Sequence, residues 1–148
     1  MSSASTPRVA MLRPEAAESA AGDSAPVARH RLLIVDDISD NRTILARRFQ
    51  RRGFDTVEAD NGLAAIEMIA QQDFDLVLLD IMMPGIDGIE TLKRIRAKKS
   101  AAALPVIMVT AKSESNNVVD ALELGANDYV TKPVDFAVAL ARVNTQIS

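Results

Sequence analysis

Two unbroken apolar runs, each ending on aspartate, constrain this chain most. Leu32-Leu33-Ile34-Val35 runs into Asp36-Asp37, and Leu76-Val77-Leu78-Leu79 runs into Asp80. A strand with one wet face alternates polar and apolar residues. These runs do not alternate, so they suit strands covered on both faces, as in a parallel sheet flanked by helices. Turn chemistry follows the second run at once, with Pro84, Gly85 and Gly88. Asp80 therefore stands where a buried strand emerges into a loop, the edge at which open α/β sheets bind ligands. Taken alone, Asp80 reads equally well as a strand-end cap and as a reactive or metal-binding carboxylate.

The rest of the chain repeats the strand-then-helix pattern. A helix reads from about Ser39, with Ile44, Leu45 and Phe49 inward and Gly53 as its left-handed stop. A short strand holds Thr56-Val57. A second helix spans residues 62–70, with Leu63, Ile66 and Ile69 on one face. After the Asp80 strand, a third helix spans residues 88–98 and carries Ile89, Leu92 and Ile95. A fourth strand, residues 105–110, ends on Thr110. A fourth helix, residues 114–124, is closed by Gly125. A short last strand, residues 128–131, leads into Lys132-Pro133, a candidate cis bond. The last helix, residues 135–147, carries Phe136, Ala139, Leu140, Val143 and Ile147 at helical spacing. Five alternations imply right-handed crossovers and a parallel sheet with helices on both faces.

Residues 1–30 differ. They are rich in Ala and Ser and hold Pro7, Pro14 and Pro26, and no apolar period persists there. The expectation is a disordered tail, with at most a helical turn over residues 15–21, before one folded domain over 31–148. Net charge is -3, so no global attraction to nucleic acid is expected. Aromatics are 3% and Trp is absent, which argues against a base-stacking surface. The absence of Cys excludes disulfides and thiolate metal sites. No apolar run approaches the ~18 residues of a membrane helix, and the N-terminus lacks a basic, then apolar, leader. A cytoplasmic protein without direct membrane contact is expected.

In a parallel sheet all strand carboxyl ends share one edge. Asp36, Asp37, Asp80, Thr110 and Lys132 should therefore converge there. Separately, each has an ordinary role: helix-leading acids, a β-branched strand residue, a solvated loop charge. Together the acids repel, at about 4 kcal/mol for one pair at ~4 Å and an effective dielectric of ~20. Something cationic must offset this. With oxygen donors and no Cys, a hard divalent cation fits, Mg²⁺ before Zn²⁺.

These motifs resemble the receiver domains of two-component response regulators over roughly residues 31–147. The matching residues are Asp36-Asp37, Asp80 followed by Met83-Pro84-Gly85, Thr110-Ala111, and Tyr129-Val130-Thr131-Lys132-Pro133. The resemblance implies a flavodoxin-like, doubly wound, five-stranded parallel sheet in the order 2-1-3-4-5. It implies that Asp80 accepts a phosphoryl group from a histidine kinase or phosphotransfer protein. Asp37, Asp80 and the Met82 backbone carbonyl would bind Mg²⁺ directly, and Asp36 through water. Thr110 and Lys132 would hold phosphoryl oxygens, and Thr110 with Tyr129 would form the switch. The chemistry agrees: a carboxylate can form an acyl phosphate, and phosphoryl transfer needs mainly positioning and charge neutralisation. The domain would not be an enzyme beyond its own phosphorylation and dephosphorylation.

Three rivals remain at this level. A haloacid-dehalogenase-type phosphatase wants an acid two residues after its nucleophile, where this chain has Met82. A flavin or nucleotide module wants a Gly- or Ser/Thr-rich phosphate loop after the first strand, where this chain is acidic. A degenerate docking module would lack site residues that are all present here. The output surface implied by the resemblance is the fourth helix, last strand and last helix, facing an output domain, another protein or a phosphorylation-dependent second copy. Val118 and Val138 are expected outward on it. Asp128 and Arg142 remain available there for salt bridges between copies. Arg42, Arg47, Arg48, Arg51 and Arg52 read as a solvated basic face or as a docking surface for an acidic partner.

Overall fold

The computed structural model of the chain describes residues 29–112 and 115–148. The expected tail and its helical turn, and the expected helix start at Glu114, lie outside those residues, apart from Arg29 and His30. The elements are β1 (Arg31–Val35), α1 (Ser39–Gln50), β2 (Asp55–Ala59), α2 (Gly62–Gln71) and β3 (Leu76–Asp80). They continue with α3 (Gly88–Arg96), β4 (Val106–Ala111), α4 (Ser115–Glu123), β5 (Asp128–Lys132) and α5 (Phe136–Ile147). All strand pairs are parallel and the order is β2-β1-β3-β4-β5. The doubly wound sheet is thus as expected.

The unbroken apolar runs have a direct cause. In β1 and β3, Leu33, Val35, Val77 and Leu79 face one side, against Ala65 and Ile69 of α2, Leu92 and Ile95 of α3, and Ala121 of α4. Leu32, Ile34, Leu76 and Leu78 face the other side, against Ala46 and Phe49 of α1 and Ala139 and Val143 of α5. Both faces of the central strands are dry, so no position calls for a polar residue. The chain reverses its winding after β2, which leaves a crevice between the carboxyl ends of β1 and β3. Asp36 and Asp80 stand on its two sides.

Helix ends follow local chemistry. Asn61 caps α2 through Ala64 N (2.8 Å), Asp87 caps α3 through Glu90 N (2.9 Å), and Asp135 caps α5 through Ala137 N (2.9 Å). Gly53 and Gly125, expected as helix stops, have φ of 92° and 108°. The Lys132–Pro133 peptide is cis.

Three expectations about helix faces are corrected. Ile44 is 57% exposed instead of inward. It belongs to the stripe Asn41, Ile44 and Arg48, which borders a cavity, while Leu45 beside it packs against the core as expected. Leu63 is also 57% exposed, and α2 is anchored by Ala65 and Ile69, with Ile66 half-buried. On α4 the outward residue is Val119, 55% exposed, while Val118 is half-buried, because Val118 shares a stripe with the buried Ala121 one turn on. Val138 is outward as expected.

Candidate functional site

Asp80 ends β3 and is 2% exposed. Its Oδ2 accepts a hydrogen bond from Lys132 Nζ at 2.8 Å, and its Oδ1 accepts one from Met82 N at 3.3 Å. Asp36 is also buried, and its Oδ1 accepts from Ile38 N at 2.9 Å, which fixes the turn into α1. Asp37 is exposed. One carboxylate oxygen from each of Asp36, Asp37 and Asp80 lies within 4.8 Å of the others. Strand alternation explains the convergence. Asp36, Asp80 and Lys132 continue the face of Ile34, Leu78 and Val130, so all three side chains leave the sheet on the α1 and α5 side.

The charges do not balance. Burial raises the Asp80 carboxyl above its ordinary value. The Lys132 hydrogen bond and charge oppose this, Asp36 adds to it, and the Met82 N–H opposes it weakly. Burial alone would lower the Lys132 ammonium, but the bond to Asp80 and the fields of Asp80, Asp36 and Asp37 hold it above its ordinary value. Burial is the main reason this carboxylate stays hard to ionise beside an ammonium, and a second cation at the site would ease its ionisation. Three oxygen donors, one of them open to water, suit a hard divalent cation such as Mg²⁺.

Thr110, the last residue but one of β4, lies beside this cluster and is 1% exposed. Its hydroxyl donates to the Ala111 carbonyl at 3.2 Å, not to Asp80. Tyr129 lies one step below. It pairs with Met108 in register, and Thr110 pairs with Thr131, so Thr110 and Tyr129 are diagonal neighbours on one sheet face. Tyr129 is half-buried against the core, and the Arg142 guanidinium lies 5.9 Å from its ring centre. Asp128 and Arg142, expected to be free for contacts between copies, pair with each other at 3.1 Å. Beside the acids a cavity of about 350 Å³ is lined by Asp36, Lys132, Ile44, Leu45, Val134 and Phe136, among others.

Two positioning residues were not singled out from sequence. Arg42 was grouped with the solvated arginines. Its Nη1 donates to the Asp36 carbonyl at 2.7 Å and its Nε to Glu58 Oε1 at 2.9 Å, so it clamps the strand end that carries the acids. A cation near the first turn of a helix opposes the helix dipole, and that was the available signal. From sequence Gly88 reads as turn chemistry and as the start of the third helix, not as a point of close packing. A Cβ there would collide with the Asp80 carbonyl oxygen and the Ile81 Cα, and Gly88 N donates to the Ile81 carbonyl at 2.7 Å. Glycine lets α3 start directly against the strand end that presents Asp80.

Comparison with known proteins agrees with this geometry. Residues 32–144 match the family model described as the response regulator receiver domain. The chemotaxis protein CheY-3 of Vibrio cholerae is 43% identical over 104 residues, covering 70% of this chain and 80% of that protein. The phosphate regulon transcriptional regulatory protein PhoB of Pseudomonas aeruginosa is 39% identical over 112 residues, 76% of this chain but 49% of that longer protein. A response regulator receiver protein from Pseudomonas putida superposes with a TM-score of 0.74 at 33% identity, over 81% of this chain and 99% of that one. Among the described residues no helix is long and apolar enough to cross a membrane. The fold, the family model and the relatives agree: the chain belongs to the receiver domain family of two-component response regulators.

Proposed function

We propose that this receiver takes a phosphoryl group onto Asp80 from a phosphohistidine on a histidine kinase or phosphotransfer protein. The observation that carries this reading is the buried Asp80 carboxylate, paired with Lys132 at 2.8 Å and with one carboxylate oxygen each of Asp36 and Asp37 within 4.8 Å. A carboxylate oxygen of Asp80 attacks phosphorus, the P–N bond breaks, and its electron pair stays on the departing imidazole, which takes up a proton. The product is an acyl phosphate. Asp37, Asp80 and the Met82 carbonyl would hold Mg²⁺ directly, and Asp36 through water. Bound there, the cation would offset charge on the phosphoryl oxygens. Lys132 then exchanges its carboxylate partner for a phosphoryl oxygen, and the Thr110 hydroxyl turns from Ala111 to another.

The turn of Thr110 empties space next to Tyr129 on the same sheet face, and that is the proposed route to the surface. Moving a two-state element from 1:99 to 99:1 takes about 5.5 kcal/mol of differential interaction. The proposed output surface is α4, β5 and α5. It exposes Val119, Leu122 and Val138 and suits an apolar patch on an output domain, another protein or a second copy. The chemistry ends on the chain's own side chain, so no turnover of a separate substrate is expected, and the proposed compartment is the cytoplasm.

Intact mass after incubation with acetyl phosphate and Mg²⁺ tests the assignment. The unaltered chain should gain one base-labile phosphoryl adduct, and Asp80→Asn should gain none. An adduct that persists in Asp80→Asn would place the acceptor elsewhere.

A further inference from the structure

The C-terminal end of α1 carries more positive charge than the fold uses. Arg47, Arg48, Arg51 and Arg52 are all exposed, and among the described residues none pairs with a carboxylate. Arg47 and Arg48 lie in the last turn of α1 and Arg51 and Arg52 in the turn that follows, so four like charges crowd one end of the helix. The helix dipole favours a cation or two in the last turn, but it does not call for four. Two of them are already oriented. Arg48 and Arg52 lie 5.8 and 5.9 Å from the centre of the Phe136 ring. A guanidinium stacked on a ring keeps its N–H edge free for a carboxylate.

The chain contains a segment of opposite charge tethered beside this face. Residues 14–28 carry Glu15, Glu18 and Asp23 and no Lys or Arg. The described chain begins at Arg29, whose guanidinium is 3.9 Å from Asp55. Asp55 directly follows the turn that ends α1, and its N–H donates to the His30 carbonyl at 3.0 Å. The tail therefore leaves the domain next to the arginines. Asp23 lies six positions before Arg29, a reach of up to ~20 Å. The 12 residues of α1 span about 18 Å. Tethering at this range gives an effective concentration in the ~mM range, ahead of most separate partners.

We propose that the acidic stretch of residues 14–28 docks, within the same chain, on the arginine face formed by Arg47, Arg48, Arg51 and Arg52. The contact is electrostatic, between carboxylates and guanidinium edges, and needs no fixed backbone conformation in the tail. Arg48 also lines the cavity shared by Asp36 and Lys132. Docked there, residues 14–28 would occupy the end of α1 that an acidic protein could otherwise use. The docking itself does not depend on the role proposed for Asp80.

The chain has no Cys, so a single nitroxide label at Ala20→Cys is unambiguous. In the full ¹⁵N-labelled chain at low salt, the amide signals of residues 46–53 should be lost to paramagnetic broadening, while those of α3 and α4 remain. The signals should return in 0.5 M NaCl, where charges are screened within a few ångströms. They should also return when Glu15, Glu18 and Asp23 are all changed to Lys. Broadening that is spread evenly around Arg29 and ignores salt would overturn the proposal, because it reports only the tether. Absence of broadening on α1 would overturn it too and leave the arginines to a separate partner. Broadening that appears only when ¹⁵N chains are mixed with labelled ¹⁴N chains would assign the face to a second copy and overturn it.

Discussion

The two ends of the central strands carry polar clusters of opposite character. At the amino edge the Arg96 guanidinium donates to Gly125 O at 2.8 Å, Leu104 O at 2.9 Å and Asn127 Oδ1 at 2.9 Å, with longer bonds to Lys99 O and Ser100 O. Asn127 continues the network. Its Oδ1 accepts from Val106 N at 2.9 Å, and its Nδ2 donates to Ala101 O at 3.1 Å. One cation is surrounded by carbonyl dipoles and each of its three nitrogens has a partner. At the carboxyl edge three carboxylates face one ammonium, and Asp80 is held above its ordinary pKa by burial. A fully satisfied network adds stability; a half-satisfied one detracts from it and is retained where a ligand completes it. The same sheet thus has one end where a cation is matched by acceptors and one end where carboxylates outnumber the ammonium.

Removing Arg96 should break the first half of this contrast most. Arg96→Ala leaves the Gly125 and Leu104 carbonyls and the Asn127 amide short of a buried partner. A loss of roughly 3 kcal/mol is expected in urea unfolding. Arg96→Lys should recover only part, because one ammonium cannot reach acceptors on both sides of the α4–β5 turn. A loss below ~1 kcal/mol for Arg96→Ala would mean that water replaces the hub, and the contrast between the two ends would fail.

The opposite sign is expected at Asp80. Its folded pKa is raised, so its contribution to stability is fully present below the unfolded pKa and is lost as pH rises through the folded value. At neutral pH the ionised group therefore costs stability. Asp80→Asn keeps the shape and removes the charge, and should gain about 1 kcal/mol in EDTA, or about 3 to 5 °C in Tm. Mg²⁺ should close that gap by stabilising the unaltered chain more than the variant. If Asp80→Asn melts lower than the unaltered chain in EDTA, Asp80 is a structural residue like Arg96. If Mg²⁺ raises both alike, the acids are not its site.

The difference between the ends also explains what could be read from the sequence. Asp36, Asp37 and Asp80 were legible because they follow runs whose apolar character marks a buried strand, Lys132 because it closes the short last strand, and a parallel sheet puts such ends together. The amino-edge hub was not, because Arg96 and Asn127 are 31 residues apart and no period links them. Arg42 looked like its arginine neighbours in the string. Only the register that sets Glu58 beside Ile34, at the end of β2 next to Asp36, reveals its task. Ile44 and Leu63 fit a helical period, yet a period records that a residue is apolar and not which stripe meets the sheet. On α4 an offset of one residue, Val118 for Val119, is a rotation of about 100° and makes the difference between a half-buried and an exposed side chain.

The smallest expected effect lies at Met82, two residues past Asp80. Its backbone N–H is tied to the Asp80 carboxylate, but its side chain is 58% exposed. An apolar side chain there gives an attacking water no hydrogen-bond partner beside the acyl phosphate, and because it is open to solvent it shields only in part. Met82→Asn supplies an amide that can orient that water. Decay of the aspartyl phosphate should therefore quicken about threefold, which corresponds to roughly 0.6 kcal/mol of barrier. The residue is exposed, so stability should move by less than about 0.5 kcal/mol, and a change in decay can be assigned to the site and not to unfolding. The measurement is loss of the phosphoryl adduct with time after the donor is removed, at fixed Mg²⁺. Decay that is unchanged or slower in Met82→Asn would show that this position neither shields the phosphate nor lacks a water-orienting group. The openness of the carboxyl edge would then have to be governed from the Thr110 side, where Lys112 is the next exposed charge.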